Sequence, residues 1–228
     1  KLEEHHLLRS TKLVEVDAGQ TIKLGKFSVE FIRSCHSIPD SVMLAITTTA
    51  GTILHTGDFK IDYTPIDGKP MDLGRIAELG NKGILALMSD STNSERKGFT
   101  MSEKSVGAVF DKLFMNCKKR IVVATFASNV HRVQQIVDSA VKYGRKIAVC
   151  GRSMINMIEN ARSLGYIDAP EDIFIDIDLI RNYNDEQLVI ITTGSQGETM
   201  SALTRMAAGE HKKVTITPND LVIISANA

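Results

Sequence analysis

Five polar clusters in this 228-residue chain carry the side chains best suited to chemistry, and each follows a short apolar run. The first two are Cys35-His36-Ser37-Ile38-Pro39-Asp40-Ser41 and His55-Thr56-Gly57-Asp58-Phe59-Lys60. The His36 imidazole and the Asp58 carboxylate are both competent zinc ligands, and two neighbouring strand ends can bring such groups onto one ion. A solvated histidine near a surface aspartate would give the same spacing, so residue types alone leave both readings open.

Two further clusters could handle anions. Thr125-Phe126-Ala127-Ser128-Asn129-Val130-His131-Arg132 joins a strand-like run to a helical one. Hydroxyls, a histidine, an arginine and a helix start then meet at the carboxyl end of a strand, where α/β sheets commonly bind phosphate. The alternative is plain helix capping by Ser128 or Asn129. Thr193-Gly194-Ser195-Gln196-Gly197-Glu198 repeats the strand, turn, helix pattern but matches neither the P-loop nor the dinucleotide fingerprint. The fifth cluster, Ser89-Asp90-Ser91-Thr92-Asn93-Ser94, puts one carboxylate among hydroxyls.

The elements that must position these clusters fall into two rhythms. Lys12 to Val16, Thr21 to Leu24, Lys26 to Arg33, Val42 to Thr48 and Thr52 to His55 read as strands, several of them alternating as half-buried strands do. Turns at Leu24-Gly25-Lys26 and Ala50-Gly51 make this an antiparallel opening. Tyr63 to Pro70 reads as a loop. Beyond it, strands predicted at Ile84 to Met88, Ile121 to Phe126, Lys146 to Cys150, Leu188 to Thr192 and Leu221 to Ser225 alternate with helices. The helices are predicted over Ser102 to Asn116, Asn129 to Tyr143, Ser153 to Leu164 and near Glu198 to Ala208, with Ser102 as the first N-cap. Alternation of this kind predicts a mostly parallel sheet covered by helices, and the change of rhythm predicts a domain boundary near residues 72–83.

Composition narrows the class. Hydrophobic residues at 43% and charged residues at 24% suit a globular protein, and no apolar run reaches the ~18–20 residues of a membrane span. Three cysteines, Cys35, Cys117 and Cys150, lack metal-type pairing and fit a reducing, cytoplasmic compartment. Net charge is zero but uneven: residues 1–90 carry 10 basic against 12 acidic groups (−2), 91–150 carry 11 against 4 (+7), and 151–228 carry 6 against 11 (−5). The basic middle could track a phosphate backbone or could be a solvated helix face.

Taken in order, the strings SCHSIPDS, HTGDFK, SDSTNSE, ATFASNVHRVQQ, GRSM and TGSQGETMSAL resemble the ribonuclease J family along essentially the whole chain. The resemblance implies an α/β fold: a β-CASP domain with a parallel sheet flanked by helices, plus part of a metallo-β-lactamase αββα sandwich. The expected division is residues 1–75 for the partial metallo-β-lactamase domain and 76–228 for the β-CASP domain. His36 then matches a metal-ligand motif, and Asp58, 22 positions on (58 − 36), matches the carboxylate bridging two zinc ions. Asp90 resembles the acidic β-CASP motif, His131 the β-CASP histidine, and Ser128 a serine that holds the substrate's terminal phosphate. His55 has no matching role.

The resemblance further implies zinc-dependent hydrolysis of RNA, as a 5′→3′ exonuclease and an endonuclease, in a cytoplasmic protein without a membrane span that assembles as a homodimer or higher oligomer. It also implies that most zinc ligands lie elsewhere. His5-His6 do not satisfy the H-x-H-x-D-H signature, expected ahead of Lys1, and the H-x-S-G-H segment is expected beyond Ala228. The chain alone is thus expected to be inactive. Competing readings are another β-CASP nuclease, acting on mRNA 3′ ends or on DNA, and a degenerate paralogue serving as structural partner in a nuclease complex.

Overall fold

The computed structural model describes residues 2–3 and 5–226, and these divide into two units. The first comprises the chain through His36, Asp40–Ile61 and Pro70–Phe99; the second takes Ser37–Pro39, Asp62–Lys69 and the chain from Thr100 onward. Among the described residues each unit holds one five-stranded sheet.

In the first unit β1 (Thr21–Leu24), β2 (Phe27–Arg33), β3 (Val42–Thr48) and β4 (Gly51–His55) pair antiparallel in sequence order. The alternation seen in the sequence is the pleat: Val29 and Ile32 of β2, Met43 and Ala45 of β3 and Leu54 of β4 are buried. A helix that the sequence reading did not anticipate, α1 (Leu73–Lys82), supplies Leu79 to this core. The Asp72 carboxylate caps α1 by accepting from the Arg75 N–H at 2.9 Å. The Arg75 guanidinium pairs with both Glu30 oxygens at 2.6 and 2.9 Å, which fastens α1 to β2. Then β5 (Ala86–Met88) joins β4 in parallel. The first unit therefore runs past the expected boundary near residue 76, because an apolar strand after a helix can return to the sheet it left. Lys12 to Val16 is not a strand: Leu13 and Val14 are 61% and 57% exposed, and alternation without a pairing partner forms no ladder.

The second unit is α/β. Its all-parallel sheet has the order β10 (Asp220–Ser225), β6 (Arg120–Thr125), β9 (Leu188–Thr192), β7 (Lys146–Val149), β8 (Phe174–Ile175). One face of the sheet packs on α2 (Lys104–Phe114), α3 (Val130–Lys142) and α4 (Arg152–Ser163), with Phe110, Phe114, Val133, Ile136 and Met154 among the buried side chains. The other face packs on α5 (Ala202–Ala207) and Ile180. Both faces are covered, so β9 is buried along its whole length and reads in sequence as the unbroken run Leu188-Val189-Ile190-Ile191-Thr192. The chain leaves β6 through α3 on one face and leaves the neighbouring β9 toward α5 on the other. The carboxyl ends of β6 and β9 thus flank a topological switch point, where open α/β sheets bind ligands. Among the described residues no helix is long and apolar enough to cross a membrane.

Candidate active-site residues

Strands β2, β4 and β5 of the first unit run in one direction, so the loops after them emerge at one sheet edge. His36 follows β2 and Asp58 follows β4, and their Nε2 and Oδ2 atoms lie 3.7 Å apart. Both side chains are open to solvent, 36% and 79% exposed. The turn between β4 and Asp58 needs glycine, since Gly57 has a φ of +57°. His55 serves this turn: its Nδ1 accepts from the Gly57 N–H at 3.1 Å.

Asp90 follows β5 at the same edge. Its backbone N–H donates to Thr56 Oγ1 at 3.0 Å, and Thr56 N–H donates to the Met88 carbonyl at 3.0 Å, so the two strand ends are stitched together. The Thr92 N–H donates to Asp90 Oδ1 at 2.8 Å. Hydrogen bonds from the Thr92 backbone and hydroxyl hold the Asp90 carboxyl below its ordinary pKa, with the Phe59 backbone and the charge of His36 adding to the effect. His36, Asp58 and Asp90 therefore share one neighbourhood of the first unit. Among the described residues, however, no three His, Cys, Asp or Glu side chains are grouped so as to hold a metal ion. A catalytic zinc takes three protein ligands. An imidazole and a carboxylate 3.7 Å apart suit one side of such a site and do not complete it.

In the second unit Ser128 and His131 lie at the carboxyl end of β6. The Asn129 side chain, not that of Ser128, caps α3, accepting from the Arg132 N–H at 2.9 Å. Ser128 is exposed and His131 half-buried. The first-turn amides that the sequence reading offered to an anion are occupied within the fold. Val130 N–H donates to the Ser128 carbonyl at 3.2 Å, His131 N–H to the Ser37 carbonyl at 3.4 Å, and Val133 N–H to the Asn129 carbonyl at 3.1 Å. Any anion here must be held by side chains and by the helix dipole rather than by these N–H groups.

Arg132 is a second correction. Its side chain is 6% exposed and its Nε donates to Glu103, while Nη1 donates to Ser225 Oγ at 2.5 Å. The guanidinium is enclosed and committed. Other basic groups of the middle segment are paired too, several of them at the surface. Arg120 pairs with Asp220, Lys146 with Asp172, Lys142 with Asp111 and Lys118 with Glu186. Arg145, 2% exposed, donates to the carbonyls of Lys119 at 3.0 Å and Leu188 at 3.1 Å. Three of these pairs, Arg120–Asp220, Lys146–Asp172 and Lys118–Glu186, join the basic middle segment to the acidic last one, which linear charge counting does not reveal. Ser102 also departs from expectation: it precedes the cap residue Glu103, whose N–H donates to Asp62 Oδ2 at 3.0 Å.

The turn after β9 has a packing requirement of its own. Gly194 has a φ of +110°, and a Cβ there would fall 2.3 Å from Ser201 Oγ. Glycine lets the turn close onto the start of α5, where Ser201 Oγ accepts from the Thr204 N–H at 3.3 Å. In sequence Glu103 is only part of a helix start and Asp62 only a residue ahead of a loop. Their partners lie 29 and 41 positions away, and no local pattern signals that.

Comparison with known proteins bears on these placements. The family "Ribonuclease J, beta-CASP domain" matches residues 118–228. Ribonuclease J of Helicobacter pylori is 51% identical over 229 residues, covering 100% of this chain and 33% of that protein. Ribonuclease J of Synechocystis sp. is 51% identical over 100% of this chain and 36% of its own length, and Ribonuclease J2 of Bacillus subtilis is 43% identical over 99% and 41%. The chain thus spans about a third of the length of the first of these relatives. A crystal structure of a protein of unknown function from Enterococcus faecalis V583 aligns with a TM-score of 0.58 at 16% identity, covering 94% of this chain and 57% of that one, which supports the fold alone. Residues 118–228 thus belong to the ribonuclease J β-CASP domain family, and the chain is similar along its whole length to part of the ribonuclease J proteins.

Proposed function

We propose that this chain is part of an RNA-processing and RNA-degrading nuclease that hydrolyses phosphodiesters with zinc, as a 5′→3′ exonuclease and as an endonuclease. The first unit, with His36 and Asp58, is read as part of the metallo-β-lactamase domain, and the second as the RNA-binding β-CASP domain. His36 and Asp58 would each give a zinc ligand. Bound zinc would supply Lewis acidity and an activated water at neutral pH. Asp90, kept ionised by Thr92, is the acidic β-CASP residue and contributes fixed negative charge beside His36. The intact protein is read as a cytoplasmic homodimer or higher oligomer, and the present chain by itself as inactive.

The observation that carries the substrate reading is the division of labour at the start of α3. Asn129 does the capping, which leaves the exposed Ser128 hydroxyl without that duty beside His131 at a switch point of the sheet. Ser128 Oγ is assigned to donate a hydrogen bond to an oxygen of the RNA's 5′-terminal phosphate, and His131 to act nearer the reacting phosphate.

In the intact enzyme Ser128→Ala should weaken use of 5′-monophosphorylated ends about 10–150-fold, the worth of one hydrogen bond to a charged group. Internal cleavage should suffer less, since no terminal phosphate is engaged, whereas His131→Ala should impair both activities. Rates of both activities on the same Ser128→Ala preparation decide the matter. Equal losses that track a lower melting temperature would overturn the assignment.

A further inference from the structure

Arg132 is the residue that a reader of Ser128-Asn129-Val130-His131-Arg132 would first hand to RNA, and the geometry gives it different work. Its backbone N–H is taken by the Asn129 cap at 2.9 Å. Its guanidinium donates to the Glu103 carboxylate, to Ser225 Oγ at 2.5 Å and to the Ser225 carbonyl at 3.4 Å. Glu103 is 16% exposed at its side chain and lies just ahead of α2. Its carbonyl accepts from Gln135 Nε2 at 3.0 Å, one helical turn along α3 from Arg132. Its N–H donates to Asp62 Oδ2, and that same oxygen accepts from Ser102 Oγ at 2.9 Å. Asp62, 6% exposed, also accepts from the Thr64 N–H at 3.0 Å. One enclosed polar chain therefore runs from the loop at Asp62 through the start of α2 and the first turn of α3 to the end of β10.

We propose that Asp62, Glu103, Arg132 and Ser225 form a brace that sets the position of the Ser128–His131 turn, and that Glu103 and Arg132 are positioning residues that never touch RNA. This inference rests on the reading that Ser128 holds a terminal phosphate. Apolar packing alone would hold α3 against the sheet without fixing its rotation closely, because hydrophobic attraction is non-directional. Charge-assisted hydrogen bonds are directional and short-ranged, so a guanidinium bonded on two sides fixes both the rotation and the height of the helix's first turn. That turn begins at the residue after Asn129, whose carboxamide reads the Arg132 N–H and whose neighbour is Ser128. An enclosed ion pair adds little net stability over an apolar pair of similar volume, so its contribution here is geometric.

That same equivalence makes the brace testable. In the intact ribonuclease, the paired replacement Glu103→Met with Arg132→Met removes both charges and keeps the volume. Its melting temperature is expected to stay within a few degrees of the parent. KM for 5′-monophosphorylated RNA should rise about 10-fold relative to the same RNA with a 5′-hydroxyl, because an ångström of misplacement is costly to a bound anion. Ser225→Ala, a smaller cut that keeps the ion pair, should shift the same ratio about 3-fold. A doubly substituted enzyme with an unchanged ratio overturns the brace, as does one that loses both substrates equally in step with a lower melting temperature. Ser128→Ala measured alongside separates the two readings. If it too leaves the ratio unchanged, the phosphate pocket itself is wrong. If it shifts the ratio while the Glu103/Arg132 replacement does not, only the brace fails.

Discussion

The two units bury their sheets differently, and their candidate residues inherit the difference. In the first, the sheet covers one modest core, and large apolar side chains such as Leu24 and Phe27 remain 58% and 52% exposed. In the second, two clusters enclose the sheet, and the central strands β6 and β9 are buried almost throughout. His36 and Asp58 accordingly sit at an open edge, where their own attraction is worth little and the turns at β2 and β4 set their spacing. Ser128 and His131 lie close in sequence to Arg132, whose guanidinium forms an enclosed ion pair with Glu103. Burial thus decides whether the ion pair beside a candidate site is screened by water or enclosed.

The contrast is most directly broken by paired core truncations. Ile190→Ala, in a fully buried strand position, should cost about 3–4 kcal/mol, since the surrounding close packing cannot collapse into the gap. Ile46→Ala in half-buried β3 should cost only about 1 kcal/mol. Chemical denaturation followed by circular dichroism reads both, and the reverse ranking would remove the contrast between the sheets.

A smaller effect concerns the amino end of the parallel sheet. Arg120 and Asp220 face each other in register at the first positions of β6 and β10, with two hydrogen bonds of 2.7 Å. Burial alone would raise the Asp220 pKa, but the Arg120 guanidinium and then the Thr217 backbone N–H overcome it and hold the carboxyl below its ordinary value. A depressed carboxyl adds stability above its unfolded pKa, about 3.9, and that stability is lost as pH falls through the folded value. Asp220→Asn should therefore cost about 2 kcal/mol at neutral pH, below the figure for a fully enclosed pair because Arg120 keeps some contact with water. The gap between wild type and variant should narrow as pH drops below 4, roughly the unfolded carboxyl value. Urea titrations from pH 7 to pH 3 check this, and a gap that widened on acidification would contradict the stated sign.

The smallest expected effect lies at the open edge. With His36 and Asp58 as its only assigned zinc ligands, the chain should retain fewer than one firmly bound zinc per molecule after dialysis, because tight affinity requires several deprotonated ligands held together. Elemental analysis tests this. Two zinc ions per chain would mean that other side chains of this chain complete the site.

Much of this was already decided by the sequence. The alternation in β2 and β3 and the unbroken apolar run of β9 specify one-sided and two-sided burial, because side chains alternate across a strand whatever lies beyond it. The clusters around His36, Asp58, Asp90, Ser128 and His131 were legible too, since strand ends followed by polar turns are local patterns. Tertiary structure alone decided the rest. It set β5 beside β4 and carried the first unit past residue 76, through a pairing that spans 33 positions (86 − 53). It turned Arg132 inward to Glu103 and gave the cap of α3 to Asn129. It also paired some bases of the middle segment with acidic groups far along the chain, Arg120 with Asp220 across 100 positions. Such partners are chosen by proximity in the folded chain, and sequence spacing records only proximity along it.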